Sequence, residues 1–280
     1  MFAVKAGVSL LFSSEIIESN KVALLIEYDG SDYHGWQIQT KPPVRTVQGE
    51  VEKALSYVAN EPVKVFCAGR TDAGVHATAQ LVHFETSAKR SEVSWVKGVN
   101  TNLPNDVVVR WAKPVDDDFH ARFTATARTY RYVIANQAVG SAILDRKVTL
   151  IKDALDVAAM HEAGQHLLGE NDFSAYRGAS CQSNSPFRCI EYLKVEQKGQ
   201  FVVMEVCANA FLLHMVRNIM GVLIEIGLGN KPIGWSRDVL LTKDRKQAAK
   251  TAPPHGLYLV DARYPEHYGL SQAVLGPIFL

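Results

Sequence analysis

The sequence predicts an α+β fold built from two tandem halves of the ferredoxin or RRM type. Hydrophobic periodicity gives the order strand, helix, strand, strand, helix, strand, and the same order then occurs a second time along the chain. An acidic stretch that contains a proline, KPVDDD at 113–118, separates the two occurrences. Two such split β-α-β units would join their antiparallel sheets side by side, with helices on one face and a central cleft between the halves.

The elements of the first half follow from local signals. Thr46 is a favoured N-cap residue, and apolar residues recur after it at helical spacing. The second helix stops before Pro104, because the residue preceding a proline disfavours helical geometry. The predicted strands are VALLIEYDG at 22–30, VKVFCAG at 63–69, ATAQLVHFE at 77–85 and DVVVRWA at 106–112.

The second half repeats the pattern without obvious sequence identity to the first. Its predicted helices cover 152–168 and 212–226. Its predicted strands are ARTYRYVIA at 127–135, CIEYLKVEQ at 189–197, QFVVMEVCA at 200–208 and GLYLVDARY at 256–264. We therefore expect an N-terminal extension at 1–20, halves at 21–113 and 119–265, and a C-terminal tail at 266–280.

Composition limits the classes of partner and location. A chain of 280 residues with 47% hydrophobic residues and a net charge of +1 is typical of a folded protein, and any nucleic-acid footprint must be local. The four cysteines show no CxxC pairing, which favours reduced thiols and a cytoplasmic location. The apolar stretch at 211–228 is interrupted by polar and charged residues, so we predict no membrane span.

Asp72 and Arg217 are the two charged residues that most need an explanation. Asp72 lies in the glycine-bounded turn of CAGRTDAGVHATAQLVHF, where an aspartate is either turn punctuation or a displayed reactive group. Arg217 lies in the apolar helix FLLHMVRNIMGVLIEIG, and a buried guanidinium needs a carboxylate partner. Asp72 could be that partner across the cleft. The alternative is that Arg217 reaches solvent at the start of the helix.

Two basic segments are candidates for nucleic-acid contact. FHARFTATARTYRYVIAN, at 119–136, interleaves aromatic residues with Arg122, Arg128 and Arg131, a pattern that suits phosphates and stacked bases. KDRKQAAK at 243–250 includes Lys246, although, taken alone, a solvated helix face explains this cluster better than contact with nucleic acid does. Spacings typical of zinc sites, nucleotide cradles and dinucleotide folds do not occur, so we expect neither a metal nor a cofactor.

Six segments, in the same order, resemble the signature stretches of the tRNA pseudouridine synthase A family. They are YDGSDYHGWQIQ, GRTDAGVHA, FHARFTATARTYRY, LLGENDFSAYR, ANAFLLHMVRNIMG and GLYLV, and the resemblance runs from about residue 22 to about residue 264. It implies the pseudouridine synthase fold and a cofactor-free isomerase, acting as a homodimer, that converts uridines 38, 39 and 40 of the tRNA anticodon stem-loop to pseudouridine.

The resemblance also implies roles for four residues. Asp72 matches the catalytic aspartate, Arg217 the arginine that pairs with it, and Tyr130 the tyrosine that packs on the target base. Arg70 matches a position that handles the flipped nucleotide. Two segments depart from the family pattern, namely residues 1–20 and VTLIKDALDVAAM at 148–160, which lacks the usual aromatic and proline residues.

Two other functions are compatible with the residues alone. A non-catalytic RNA-binding or RNA-chaperone protein would keep the basic cleft and use the Asp72 turn only structurally. A small-phosphoester hydrolase would use Asp72 as its nucleophile, but it lacks a phosphate cradle and a metal cluster.

Overall fold

The computed structural model describes residues 12–270 and 276–280, which contain twelve β-strands and five α-helices. The helices are α1 (Val47–Ala59), α2 (Glu92–Asn102), α3 (Val157–Gln165), α4 (Met215–Gly227) and α5 (Trp235–Thr242). The strands are β1 (Ile16–Ile17), β2 (Lys21–Tyr28), β3 (Val65–Cys67), β4 (His76–Glu85), β5 (Arg90–Ser91), β6 (Val107–Pro114), β7 (Ala127–Asn136), β8 (Thr149–Ile151), β9 (Gly169–Asp172), β10 (Phe187–Lys198), β11 (Phe201–Ala208) and β12 (Leu257–Arg263).

Ten of the strands form one continuous sheet. Its order is β6-β2-β4-β12-β7-β11-β10-β9, with β3 beside β4 and β8 beside β7. Within each half the spatial order of the four main strands is fourth, first, third, second, giving β6-β2-β4-β3 and β12-β7-β11-β10. This is the order of a split β-α-β unit, so the predicted duplication of the α+β unit is confirmed.

The two halves join through a short parallel contact between β4 and β12. His76 lies opposite Tyr258, and Ala77 lies opposite Leu259. The other edge of β4 pairs with β2, so β12 and the three-residue β3 share one edge of β4 at different points along it. Because β3 is so short, the start of β4 is free to pair with the second half.

The helices pack on one face of the sheet. Val51 and Leu55 of α1 belong to the same buried cluster as Leu24 of β2, and Ile219 of α4 joins Met204 of β11 in that cluster. The opposite face is covered in part by the 115–125 segment and the end of the chain. No helix in the described ranges is long and apolar enough to cross a membrane, and all four cysteines, which lie in those ranges, are free thiols.

Helix α3 is shorter than the predicted helix at 152–168. Asn136 donates from its side chain to the carbonyls of Ile151 and Asp153, so these carbonyls are bound outside any helix, and Asp156 then caps α3 through the amide of Ala159. The segment at 148–160, which departs from the family pattern, therefore begins with strand β8, and β8 runs parallel to β7. Strand β9 and helix α5 were not predicted, because with four and eight residues they are too short to show a clear periodic pattern.

The two ends of the chain contact the folded halves. Ile17 of β1 is buried in the main core, and β1 pairs with β5, so the predicted extension overlaps packed structure at its end. Residues 1–11 of that extension lie outside the described residues. Near the other end, Phe279 packs against Phe201 and Tyr258 on the face opposite the helices.

We predict that His83 makes folding stability depend on pH. His83 accepts a hydrogen bond at Nδ1 from the Ala121 amide (3.1 Å), and burial lowers its pKa from 6.5 to about 4, assisted by His120 and Lys21. The unfolded chain therefore binds a proton that the folded chain excludes. Stability contributed by His83 is fully present above pH 6.5 and falls by roughly 2 to 3 kcal/mol as pH decreases toward 4.

Urea unfolding of the protein and of His83→Asn between pH 7 and 4 measures this contribution. Asparagine keeps an acceptor near the Nδ1 position but cannot gain a proton, so the variant should lose less stability over this range. Equal pH slopes for the two proteins would exclude His83 as the source.

Candidate active site at the junction of the halves

The turn that carries Asp72 is packed directly against the loop after β2. The Trp36 amide donates to the carbonyl of Thr71 (3.0 Å). A Cβ atom at Gly30 would overlap the carbonyl oxygen of Val75, so only glycine permits this close approach of the two backbones. Gly30, the first glycine of YDGSDYHGWQIQ, therefore helps to fix the position of the Asp72 turn.

Buried polar groups on β2 and β4 hold the Asp72 turn in place. Gln80, on β4, donates to the Gly69 carbonyl (2.6 Å) and accepts from the Gly69 amide (3.3 Å). The hydroxyls of Thr71 and Tyr28 are 2.7 Å apart and hydrogen-bonded. Since Gln80 is fully buried, these hydrogen bonds satisfy groups that would otherwise be costly to bury. The backbone on both sides of Asp72 is thus held in place.

Arg217 reaches Asp72 from the other half of the protein. Its Nη1 donates to Asp72 Oδ2 (3.1 Å), and its Nε donates to the carbonyl of Ala252 (2.9 Å). The Arg217 and Asp72 side chains are 14% and 23% exposed, so the pair is only partly accessible to water. A Cβ atom at Gly221 would overlap the Lys250 carbonyl, which shows how closely α4 lies against this segment.

His214 is a third member of this cluster, and the sequence reasoning missed it. Its Nε2 lies 3.5 Å from Asp72 Oδ2, the same oxygen that Arg217 contacts. His214 precedes α4 in a left-handed conformation, with φ 59° and ψ 4°. Among the described residues, Asp72 Oδ1 has no hydrogen-bond partner. The spacing of three from Arg217 gave no usable signal, because it places two residues on one helix face only where both are helical, and His214 is not.

Tyr130 lies beside the Asp72 turn, on β7. A Cβ atom at Gly69 would lie 3.3 Å from the Tyr130 hydroxyl, and the ring packs edge to face on Phe211 with centroids 5.1 Å apart. Burial raises the pKa of Tyr130, the charge of Arg128 opposes this increase, and the Asp72 carboxylate adds to it. The phenol is therefore protonated at neutral pH and is a poor base.

Arg70, Arg122 and Lys246 are exposed. Arg70 lies on the Asp72 turn itself, and the Arg122 guanidinium lies 5.5 Å from the Phe123 ring centroid. Lys246 follows Arg245, whose guanidinium is anchored to Thr251 (2.9 Å). In the described part of the chain, no group of three or more His, Cys, Asp or Glu residues is arranged to hold a metal ion.

Arg128 does not lie on the surface that a phosphate contact requires. It is 9% exposed, and its five N–H donors make five hydrogen bonds to backbone carbonyls. The acceptors are Ala68, which takes two, and Arg122, Ala125 and Asn209. Its position argues against the predicted contact with RNA, because every donor is already used to tie together three segments of the backbone.

Arg131 is also removed from the predicted basic patch. Side chains alternate across a strand, so Arg131 faces away from Tyr130, and its Nε is 2.7 Å from Oε2 of Glu205. Its Nη1 donates to the Gly276 carbonyl (2.6 Å). Of the three arginines in this segment, only Arg122 is exposed to solvent.

We predict that Arg128→Met lowers the free energy of unfolding by about 3 kcal/mol or more, because five buried carbonyl interactions are lost together. Arg122→Met is the matched control, because Arg122 lies six residues away and its side chain is exposed. This substitution should change the free energy of unfolding by less than about 0.5 kcal/mol. Urea unfolding of the two variants measures both values. Equal, small effects would contradict the assignment of Arg128 as a structural residue.

Comparison with known proteins identifies the family. The family model described as tRNA pseudouridine synthase matches residues 24–124 and 163–265. The chain belongs to the tRNA pseudouridine synthase family. The proteins named tRNA pseudouridine synthase A from Shewanella loihica (strain ATCC BAA-1088 / PV-4) and Shewanella baltica (strain OS185) are each 57% identical to it. Each alignment covers 93% of this chain and 99% of the relative.

The family match includes both members of the ion pair at the junction. Asp72 lies in the first matched segment and Arg217 in the second, whereas Tyr130 lies in the interval between them. The 260 aligned residues leave 20 of the 280 residues outside the alignment. In this pseudouridine synthase fold, the contact of Asp72 with Arg217 therefore connects a residue of the first matched segment to a residue of the second.

Proposed function

We propose that the protein isomerises uridine to pseudouridine at positions 38, 39 and 40 of the tRNA anticodon stem-loop, with Asp72 as the nucleophile and no cofactor. One observation carries the proposal. Arg217 holds Oδ2 of Asp72 from the opposite half, while Oδ1 has no hydrogen-bond partner among the described residues. A carboxylate fixed through one oxygen is oriented, and its other oxygen is left for the substrate.

The reaction makes three demands that these residues can meet. The bond between C1′ and N1 must break, the uracil must turn, and the base must rejoin the sugar through C5. Asp72 supplies the carboxylate that assists cleavage, whether by attack at C1′ or C6 or by elimination to a glycal. Tyr130 stacks on the loosened base, and Arg70, exposed on the same turn, helps to hold the flipped nucleotide.

Binding of tRNA requires positive charge in the right place, since the net charge is only +1. Arg122 and Lys246 are exposed and are the proposed phosphate contacts. Arg128 is withdrawn from this set, because its donors are all used inside the protein. We also propose a cytoplasmic homodimer, as the family resemblance implies. Sedimentation equilibrium at micromolar concentration would measure the oligomeric state.

The proposal is tested with tRNA transcripts that retain a single uridine in the anticodon stem-loop, at position 38, 39 or 40. Pseudouridine has the same mass as uridine, so it is detected by labelling with a carbodiimide followed by primer extension. After single-turnover incubation this should show pseudouridine at each of the three positions. Tight binding without conversion of any transcript would favour the non-catalytic RNA-binding function. Conversion only at other sites would refute the positional assignment.

A further inference from the structure

The proposed reaction leaves one proton without an acceptor. When C5 of uracil bonds to C1′, C5 carries both its hydrogen and the sugar, and the ring has a double bond between C6 and N1. The proton must leave C5 before the product is complete. Because C5 is then bonded directly to C1′, the acceptor must lie within a few ångströms of the Asp72 carboxylate. This inference rests on the proposed function.

In the described part of the chain, few groups near Asp72 can accept a proton. Arginine has no acceptor atom, which removes Arg217 and Arg70. Tyr130 is protonated, and its burial disfavours the phenolate that would be needed. His214 remains, with Nε2 3.5 Å from Asp72 Oδ2, together with Asp72 itself.

We propose that His214 accepts the C5 proton through Nε2. The C5–H bond breaks and its electron pair forms the double bond between C5 and C6. The pair of the C6–N1 double bond moves to N1, which takes a proton from water. One proton leaves C5 and one binds N1, so the step is balanced without an oxidant or a cofactor. The His214 side chain is 36% exposed and can pass its proton to solvent.

The backbone of His214 is left-handed, so its side chain leaves the chain in a different direction from that of a helical residue. Its left-handed conformation costs about 1 kcal/mol or more for a residue other than glycine, and such strain concentrates at functional sites. The Gly178 amide donates to the Leu213 carbonyl (2.8 Å), and a Cβ atom at Gly178 would lie 3.2 Å from His214 Nδ1. Gly178 therefore leaves room for the imidazole beside Asp72.

The test uses His214→Asn and His214→Gly, because asparagine and glycine both tolerate the left-handed conformation. The substrate is tRNA with protium or deuterium at C5 of the target uridine, under single-turnover conditions. In both variants we expect product formation to slow by roughly 10²-fold or more, with unchanged tRNA affinity. Deuterium should slow the variants further than it slows the unmodified protein, because C5–H cleavage becomes rate-limiting.

Added imidazole should restore part of the activity of His214→Gly, whose missing side chain leaves space, and less of that of His214→Asn. Unchanged rates in both variants would overturn the proposal. Slower rates with neither an increased isotope effect nor imidazole rescue would also overturn it and leave Asp72 as the acceptor. Failure of the proposed function itself is distinguishable, since the unmodified protein would then form no pseudouridine.

Discussion

Replacing Asp72 with asparagine is expected to abolish pseudouridine formation while tRNA binding is retained. The amide has nearly the same shape as the carboxylate, so the turn held by Gln80 and Tyr28 should keep its conformation. An amide is not a nucleophile in this chemistry, and loss of a nucleophile slows an enzyme by roughly 10⁴-fold or more. Nucleoside analysis after single turnover measures the rate, and filter binding measures the affinity.

Asp116→Asn is the matched control for this prediction. Asp116 is exposed in the segment between the halves, and the same loss of one negative charge there should leave the rate unchanged. Turnover by Asp72→Asn at a rate close to that of the control would exclude Asp72 as the catalytic group.

Arg217→Met is expected to slow catalysis by roughly 10² to 10³-fold, the usual effect of removing one charged hydrogen-bond donor from a reacting centre. Methionine keeps much of the apolar volume in α4 but cannot contact Asp72 or the Ala252 carbonyl. Arg217→Lys keeps the charge but loses one of the two hydrogen-bonded contacts. Its rate should therefore lie between the rates of the unmodified protein and of Arg217→Met. Single-turnover rates and thermal unfolding together separate catalysis from folding.

The Arg217 prediction is strengthened by combining it with Asp72→Asn. If Arg217 acts by orienting the Asp72 carboxylate, the double variant should be no slower than Asp72→Asn alone. The stability changes of the two substitutions should likewise fail to add, because they remove the same contact. Additive changes in stability would mean that the two side chains do not work as a pair.

Local signals in the sequence predicted most of the fold. Thr46 was recognised as an N-cap, and its hydroxyl accepts from the Gly49 amide at the start of α1. The duplicated strand and helix order followed from periodicity in the same way. The parallel contact of β4 with β12 could not be predicted, because it depends on how short β3 is and not on any pattern in either strand.

The candidate site, like the fold, could be predicted only in part from the sequence. Asp72 and Arg217 could each be selected as unusual, but their pairing joins residues 145 positions apart and requires the fold. Arg122 and Arg128 occupy one basic segment and are alike in sequence, yet one is exposed and the other is enclosed by carbonyls from three segments. His214 was overlooked because its role depends on a left-handed backbone that no residue type announces.

In the proposed mechanism, Asp72 drives an isomerisation in which C5 of the uracil loses its hydrogen. Release of tritium from tRNA labelled with [5-³H]uridine, measured in a single turnover, tests this step. We predict that the unmodified protein releases one tritium for each uridine converted, and that Asp72→Asn releases none although it still binds the tRNA. Release by Asp72→Asn at the rate of the unmodified protein, or binding without release by the unmodified protein, would contradict this mechanism.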